Sequence, residues 1–252
     1  MRNNIQFVNK ENAKKEFDNE HKNHYEKAID IIVDLHKYYE EHDINKNKDF
    51  ILVAFEGADG TGKTSFIKGF IDNFVSYENI KESYEIVYVK DEVKDFANDY
   101  FYDTINFALA RYINMKSMML HNNNVKNVYK KKMVLFYDRY IYSTFTYQLL
   151  YHIKNGFEID HGANPQGIED FIKFIYYSSF YITPDIVIYF DEVIDNRKLI
   201  FTEIPKIYED LFSKLSEKYK NLVRIKAKNP EDLKKAGLLI TQVILKDYKN
   251  NV

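Results

Sequence analysis

Five short apolar runs punctuate the chain at 50–55, 85–89, 133–137, 186–190 and 222–225. None shows polar alternation, so each predicts a strand covered on both faces. Between them, apolar residues recur at three- and four-residue steps, predicting helices near 63–76, 102–122, 141–154, 167–178, 203–219 and 230–248. Alternating strands and helices imply right-handed crossovers and a parallel sheet, hence an α/β fold. Ahead of the first strand, Tyr25, Ala28, Ile29, Ile32, Leu35 and Tyr39 line one helical face. Residues 1–49 therefore read as a helical extension, packed on the main unit of residues 50–252 or offered to a partner. The first 20 residues read as poorly ordered. Residues 155–168 form the clearest long loop.

The strand at 50–55 runs into FEGADGTGKTS at 55–65, where Gly57, Gly62, Lys63 and Thr64 match G-x-x-x-x-G-K-[ST]. A strand enters and a helical pattern leaves, as a phosphate-binding loop requires. Glycines let the backbone approach phosphate, and successive N–H groups close around it at a helix N-terminus. Gly57, Asp59, Gly60, Thr61, Gly62, Lys63, Thr64 and Ser65 are the candidate ATP-binding residues. Lys63 is placed for the β- and γ-phosphates, and Thr64 offers a hydroxyl to Mg²⁺. The motif leaves the acceptor open: water, a protein side chain, a nucleoside and a nucleotide all qualify.

A second cluster follows the strand at 133–137. Asp138 and Arg139 stand at its carboxyl end, where ligands sit in open parallel sheets. Asp138 is a candidate for holding Mg²⁺ or its water, and Arg139 for gripping a phosphate bidentately. Tyr140, Ser143, Thr144, Tyr147 and Gln148 follow with polar groups suited to a base or sugar edge. Read alone, Asp138–Arg139 is equally a surface pair, and the tyrosines equally core.

Composition narrows the classes. Lys+Arg total 36 against 38 Asp+Glu, a net charge of −2, so no global field for nucleic acid or anionic membrane is present. Cysteine is absent, which removes disulfides, thiolate metal sites and thiol nucleophiles. No 18-residue apolar run predicts a membrane span, and the first 20 residues lack a signal-like apolar core. The expectation is a cytoplasmic protein acting on small molecules. Lys is the default cation, so the five arginines (2, 111, 139, 197 and 224) mark places where fork geometry counts.

Taken together, FEGADGTGKTS at 55–65, NFALAR at 106–111, DRYIYSTFTYQ at 138–148 and PDIVIYFD at 184–191 resemble the thymidylate kinase family of P-loop nucleoside-monophosphate kinases. The elements stand in the family's order. The resemblance implies a three-layer α/β/α P-loop kinase fold with a five-stranded parallel sheet. It also implies ATP- and Mg²⁺-dependent phosphorylation of a deoxynucleoside monophosphate, dTMP first, and a homodimer. Phe107 would stack on the acceptor base. Arg111 and Arg139 would hold its phosphate, and Arg139 also the transferred group. Asp59 would sit near the sugar 3′-hydroxyl and the metal, Thr144 and Gln148 near the base edge, and Tyr147 against the 2′ position. AKNP at 227–230 would lie by the adenine. Without the resemblance, Phe107 reads as a core aromatic and Arg111 as a solvated helix residue.

Three departures bear on function. VKDEV at 89–93 replaces the family's R-E-P-G-G turn, with Lys90 at the Arg position. The lid segment at 192–202 is short and offers Arg197 and Lys198, so Arg197 is the expected catalytic cation. Residues 1–49 and 155–168 are additions. The alternatives are a deoxynucleoside kinase, with Glu56 and Asp59 near a 5′-hydroxyl, and a non-catalytic nucleotide-binding protein on the same fold.

Overall fold

The computed structural model describes residues 10–42, 48–90, 100–154, 165–178 and 181–249. Five strands appear where the apolar runs predict them: β1 (Phe50–Glu56), β2 (Tyr84–Lys90), β3 (Lys132–Asp138), β4 (Ile186–Phe190) and β5 (Leu222–Ile225). All pairings are parallel, in the order β2-β3-β1-β4-β5.

The central runs β1, β3 and β4 lack polar alternation because both of their faces are buried, whereas the edge strands β2 and β5 are only partly covered. Leu52, Ala54, Met133, Leu135, Tyr137, Val187 and Tyr189 face one core. Ile51, Val53, Phe55, Val134, Phe136, Ile186 and Ile188 face the other. The second core is closed by α2 (Lys63–Phe74) and by α9 (Pro230–Lys249), through Ile67, Phe74, Ala236, Ile240 and Ile244. The first lies under α4 (Tyr100–Asn124), a helical stretch over 141–154, α7 (Pro165–Ser178) and α8 (Ile204–Lys218). The result is the three-layer α/β/α architecture of the P-loop kinase fold.

Helix α1 (Lys10–Glu41) is continuous from Lys10, inside the stretch expected to be poorly ordered. Tyr25, Ala28, Ile29, Ile32 and Val33 are buried in the first core, so the stripe packs on the sheet's own helices. Lys214 and Lys218 of α8 pair with Asp30 and Asp34 at 2.6 and 3.0 Å. A short helix, α3 (Glu78–Ser83), precedes β2 and was not expected. The stretch over 141–154 is α5 (Ile141–Thr144), a π-helical turn at Phe145–Leu150, and α6 (Tyr151–Lys154). A further π-turn, Val125–Tyr129, continues α4. Most of the 155–168 loop and positions 91–93 lie outside the described residues.

The fourth element of the resemblance has a structural role here. The Asp185 carboxylate accepts from the Leu52 N–H at 2.7 Å, and the Asp185 N–H donates to the Leu52 carbonyl at 2.8 Å. This double bond sets the β1–β4 register. Among the described residues, no helix is long and apolar enough to cross a membrane.

Candidate functional site: a phosphate cradle at the strand ends

Register brings the chemistry together. Phe55 pairs with Asp138, and Lys90 pairs with Asp138 from the other side, so β1, β2 and β3 end in one row. Above that row opens a cleft of about 200 Å³, lined by residues 59–65, Lys90, Asp138, Arg139 and Lys198.

The loop is held by its glycines. Gly57, Gly60 and Gly62 all have positive φ. A Cβ at Gly57 would come within 2.5 Å of the Phe190 carbonyl oxygen, so the loop turns tightly over β4. At Gly60 a Cβ would run into the Asp195 carbonyl oxygen. Glycine is needed there because the Gly60 carbonyl accepts from both Ile194 N–H (2.8 Å) and Asp195 N–H (3.1 Å). The lid segment is thereby latched onto the loop.

Lys63 opens α2 and is buried. Its ammonium donates to the carbonyls of Gly57 (2.7 Å) and Ala58 (2.6 Å) and to Thr61 Oγ1 (3.1 Å). Burial pushes its pKa down to about 7; Arg139 adds to this, while Asp138, Asp59 and Glu56 oppose it. Thr64 Oγ1 donates to Asp138 Oδ2 at 2.7 Å, and Tyr88 of β2 donates to the same oxygen at 3.0 Å. Two hard oxygen donors thus meet beside the cradle, a set suited to Mg²⁺. Among the described residues no cluster of three His, Asp or Glu forms a metal cage. Mg²⁺ bound through one or two protein oxygens and phosphate needs none.

Arg139 has φ 72, the left-handed region, which costs a bulky residue about 1–2 kcal/mol. Its N–H donates to the Phe55 carbonyl at 2.9 Å. The turn sends the guanidinium back over the loop, where it pairs with Asp59 and lies 4.9 Å from the centre of the Tyr147 ring. Tyr147 donates to Asp59 Oδ2 at 2.7 Å and accepts from the Asp59 N–H at 3.2 Å. Asp59, Arg139 and Tyr147 therefore form one unit beside Lys63.

Arg111 is fully buried and donates to Thr144 Oγ1. Glu56, also fully buried, accepts from Ser143 (2.6 Å) and Tyr208 (3.1 Å). Burial pushes its pKa up to about 7, while the Ser143 bond and the charges of Arg111, Arg139 and Lys63 pull it back. Three cations (Lys63, Arg111, Arg139) are thus interleaved with three carboxyl groups (Glu56, Asp59, Asp138).

Of the sequence-predicted site residues, Phe107, Arg111, Tyr140, Ser143, Thr144, Tyr147, Gln148 and Arg197 do not line this cleft. The Tyr140 hydroxyl donates to the Ile182 carbonyl (3.0 Å) and accepts from the Ile182 N–H (2.9 Å), so it faces the core. Ser143 is consumed by Glu56 and Tyr208. Neither is free to read a nucleotide edge. The Arg197 side chain is 90% exposed and held by Asp195 at 2.9 Å. It does not line the cleft, whereas its neighbour Lys198 does. Phe107 lies half-buried on α4, and Gln148 is buried within the π-turn. Tyr88, Lys90 and Lys198 are the site residues that motif reading passed over or underweighted.

No protein-family model and no curated protein matches the chain. Among solved structures it is similar to a thymidylate kinase from Candida albicans, with 16% identity and a TM-score of 0.45, over 79% of this chain and 93% of that one. Strand order, crossover pattern and loop place the chain, on its own topology, in the P-loop kinase fold.

Proposed function

We propose that the chain transfers the γ-phosphoryl group of ATP, with Mg²⁺, to the phosphate of a deoxynucleoside monophosphate, dTMP first. One observation carries this: a strained backbone at Arg139 delivers a guanidinium to the same cleft as Lys63 and the Thr64–Asp138 pair. Phosphoryl transfer asks for two anions held in line with their charge neutralised, rather than for covalent catalysis. The monophosphate brings its own nucleophilic oxygen, so no strong base is needed. Mg²⁺ would be held on the protein side by Thr64 and Asp138 and would offset the negative charge of the phosphates.

The chain supplies the rest. The loop N–H groups and Lys63 orient the donor phosphates. Thr64 and Asp138 hold the metal side, with Asp138 braced by Tyr88. Arg139 grips phosphate, and Asp59 keeps it aimed. Arg111 backs the acceptor phosphate, with Phe107, Thr144, Tyr147 and Gln148 as candidate base and sugar contacts. The segment at 227–230 remains the candidate adenine contact, and a homodimer the proposed assembly. Lys198 takes the lid-cation role expected of Arg197. Residues 50–252 would carry this activity, with 1–49 as the extension.

Glu56 disfavours a nucleoside kinase, because the carboxyl such a reaction would use as base is fully buried and does not line the cleft, with Oε2 bound by Ser143 and Tyr208 and Oε1 left without a partner among the described residues. The exposed Arg197–Asp195 pair favours one second reading, nucleotide binding without turnover. ADP release with purified protein, Mg²⁺-ATP and each deoxynucleoside monophosphate decides between them. The kinase reading expects turnover that is highest with dTMP. Tight ATP binding with no ADP above background, for any acceptor, would support the second. Turnover of thymidine without dTMP would revive the nucleoside kinase.

A further inference from the structure

His36 sits in the buried face of α1 and is 2% exposed. Three tyrosines surround it. Tyr142 Oη lies 2.9 Å from its Nδ1 and Tyr181 Oη lies 3.0 Å from the same atom. The Tyr219 ring meets the imidazole edge-on at 4.4 Å. Burial pushes the histidine pKa down to about 3, so the ring is neutral at ordinary pH. As the Nε2–H tautomer the ring leaves the single Nδ1 lone pair to be shared by the two phenols, while Nε2 itself has no partner among the described residues. An aliphatic or phenyl side chain would fill the space but provide no acceptor.

Each anchor of the turn after Arg139 is identifiable. Tyr140 is fixed by the Ile182 backbone. Ser143 is fixed by Glu56 and Tyr208. Thr144 is fixed by Arg111. Tyr142 is fixed by His36. The last anchor comes from α1, outside residues 50–252. Tyr181 ties the cage to the same region, since its ring lies 5.7 Å from that of Tyr140.

We propose that His36 is a positioning residue: through its Nδ1, helix α1 holds the turn over 140–144 from behind and so sets the buried Arg111–Thr144 contact, which the kinase reading assigns to the acceptor phosphate. The N-terminal helix is then part of the acceptor site's scaffold. This rests on the kinase reading for its catalytic consequence, but the pinning of the turn does not.

Two variants test it in the full chain. His36→Phe keeps volume and loses the acceptor; His36→Gln keeps an acceptor oxygen. With dTMP and Mg²⁺-ATP, H36F should raise the KM for dTMP about tenfold, the loss of one to two buried hydrogen bonds. Its KM for ATP should stay within about twofold, because the phosphate loop is anchored separately, and H36Q should recover most of the loss. Equal changes in both KM values, or no change, would overturn the proposal. Backbone amide exchange over 140–144 reads the pinning without turnover. It should quicken about tenfold in H36F, recover in H36Q, and stay unchanged at 57–64. Unchanged exchange over 140–144 would overturn the proposal even if wild type is an active kinase. Absent wild-type turnover would sink the kinase reading while leaving exchange to decide this one.

Discussion

Replacing His36 with phenylalanine should also change how stability depends on pH. The folded histidine has a pKa of about 3 against 6.5 when unfolded. Between those values the unfolded chain takes up a proton that the folded chain refuses. His36 therefore lowers stability as pH falls below about 6.5. Linkage puts the loss at about 2 kcal/mol between pH 8 and pH 5. Glu56 acts in the opposite sense. Its folded pKa, raised to about 7 from 4.5, favours the native state at low pH and withdraws that support as pH rises through the same range. Lys63 adds a contribution of its own. The wild-type profile alone is therefore not diagnostic, and the difference between variant and wild type is. At pH 8 H36F should be less stable by about 2–4 kcal/mol, because two buried phenols lose their acceptor. At pH 5 the deficit should shrink by about 2 kcal/mol, because the variant carries no histidine penalty. Urea unfolding of both proteins at pH 8, 7, 6 and 5, at constant ionic strength, measures this. A deficit that stays constant across that range would refute the neutral, buried histidine.

Gly60→Ala should destabilise the protein by about 1–3 kcal/mol and weaken ATP binding, because φ +74 and the Asp195 carbonyl both exclude a Cβ; thermal melts with and without ATP check both. Polyphosphate should raise the pKa of Lys63 from about 7, so ATP binding at pH 7.5 should take up protons. Calorimetry in buffers of different ionisation enthalpy reads that uptake, and Lys63→Met should remove most of it. Tyr88→Phe deletes one of the two donors on Asp138 Oδ2. It should change the Mg²⁺ requirement about 2–10-fold with little effect on the KM for dTMP, by Mg²⁺ titration of the rate.

The sheet was legible because its central strands β1, β3 and β4 are covered on both faces and leave unbroken apolar runs, while the edge strands β2 and β5, only partly covered, still keep short apolar runs. The glycine loop between β1 and α2 was legible because its G-x-x-x-x-G-K-[ST] spacing lies in consecutive residues. Asp138 and Arg139 were legible from their place at a strand end. The inward placement of Tyr140 and Ser143 was not legible, because a three- and four-residue step marks a helical face without saying which face meets the core. The π-turn at Phe145–Leu150 shifts the phase only of the residues within and after it, Tyr147 and Gln148 among them. Arg197 and Lys198 could not be told apart from sequence. Asp195 pairs with both, with Arg197 at 2.9 Å and with Lys198 at 4.0 Å, and of the two only the lysine lines the cleft. Tyr88 needed the β2–β3 register before its hydroxyl could be placed on Asp138. His36 did carry a signal: it lies four residues after Ile32 and continues the stripe through Ile29 and Ile32. A lone histidine on an apolar face gives no hint of its partners until Tyr142 and Tyr181 are brought to it by tertiary packing.

The central claim is that Arg139 and Lys63 hold two phosphates in one cleft. It is tested most directly by the steady-state rate of ADP formation from Mg²⁺-ATP and dTMP in wild type and in Arg139→Ala. The account predicts robust wild-type turnover and a loss of about 100-fold or more in the variant, with ATP binding largely retained. Wild-type rates in Arg139→Ala, or no turnover of any deoxynucleoside monophosphate by the intact chain, would contradict it.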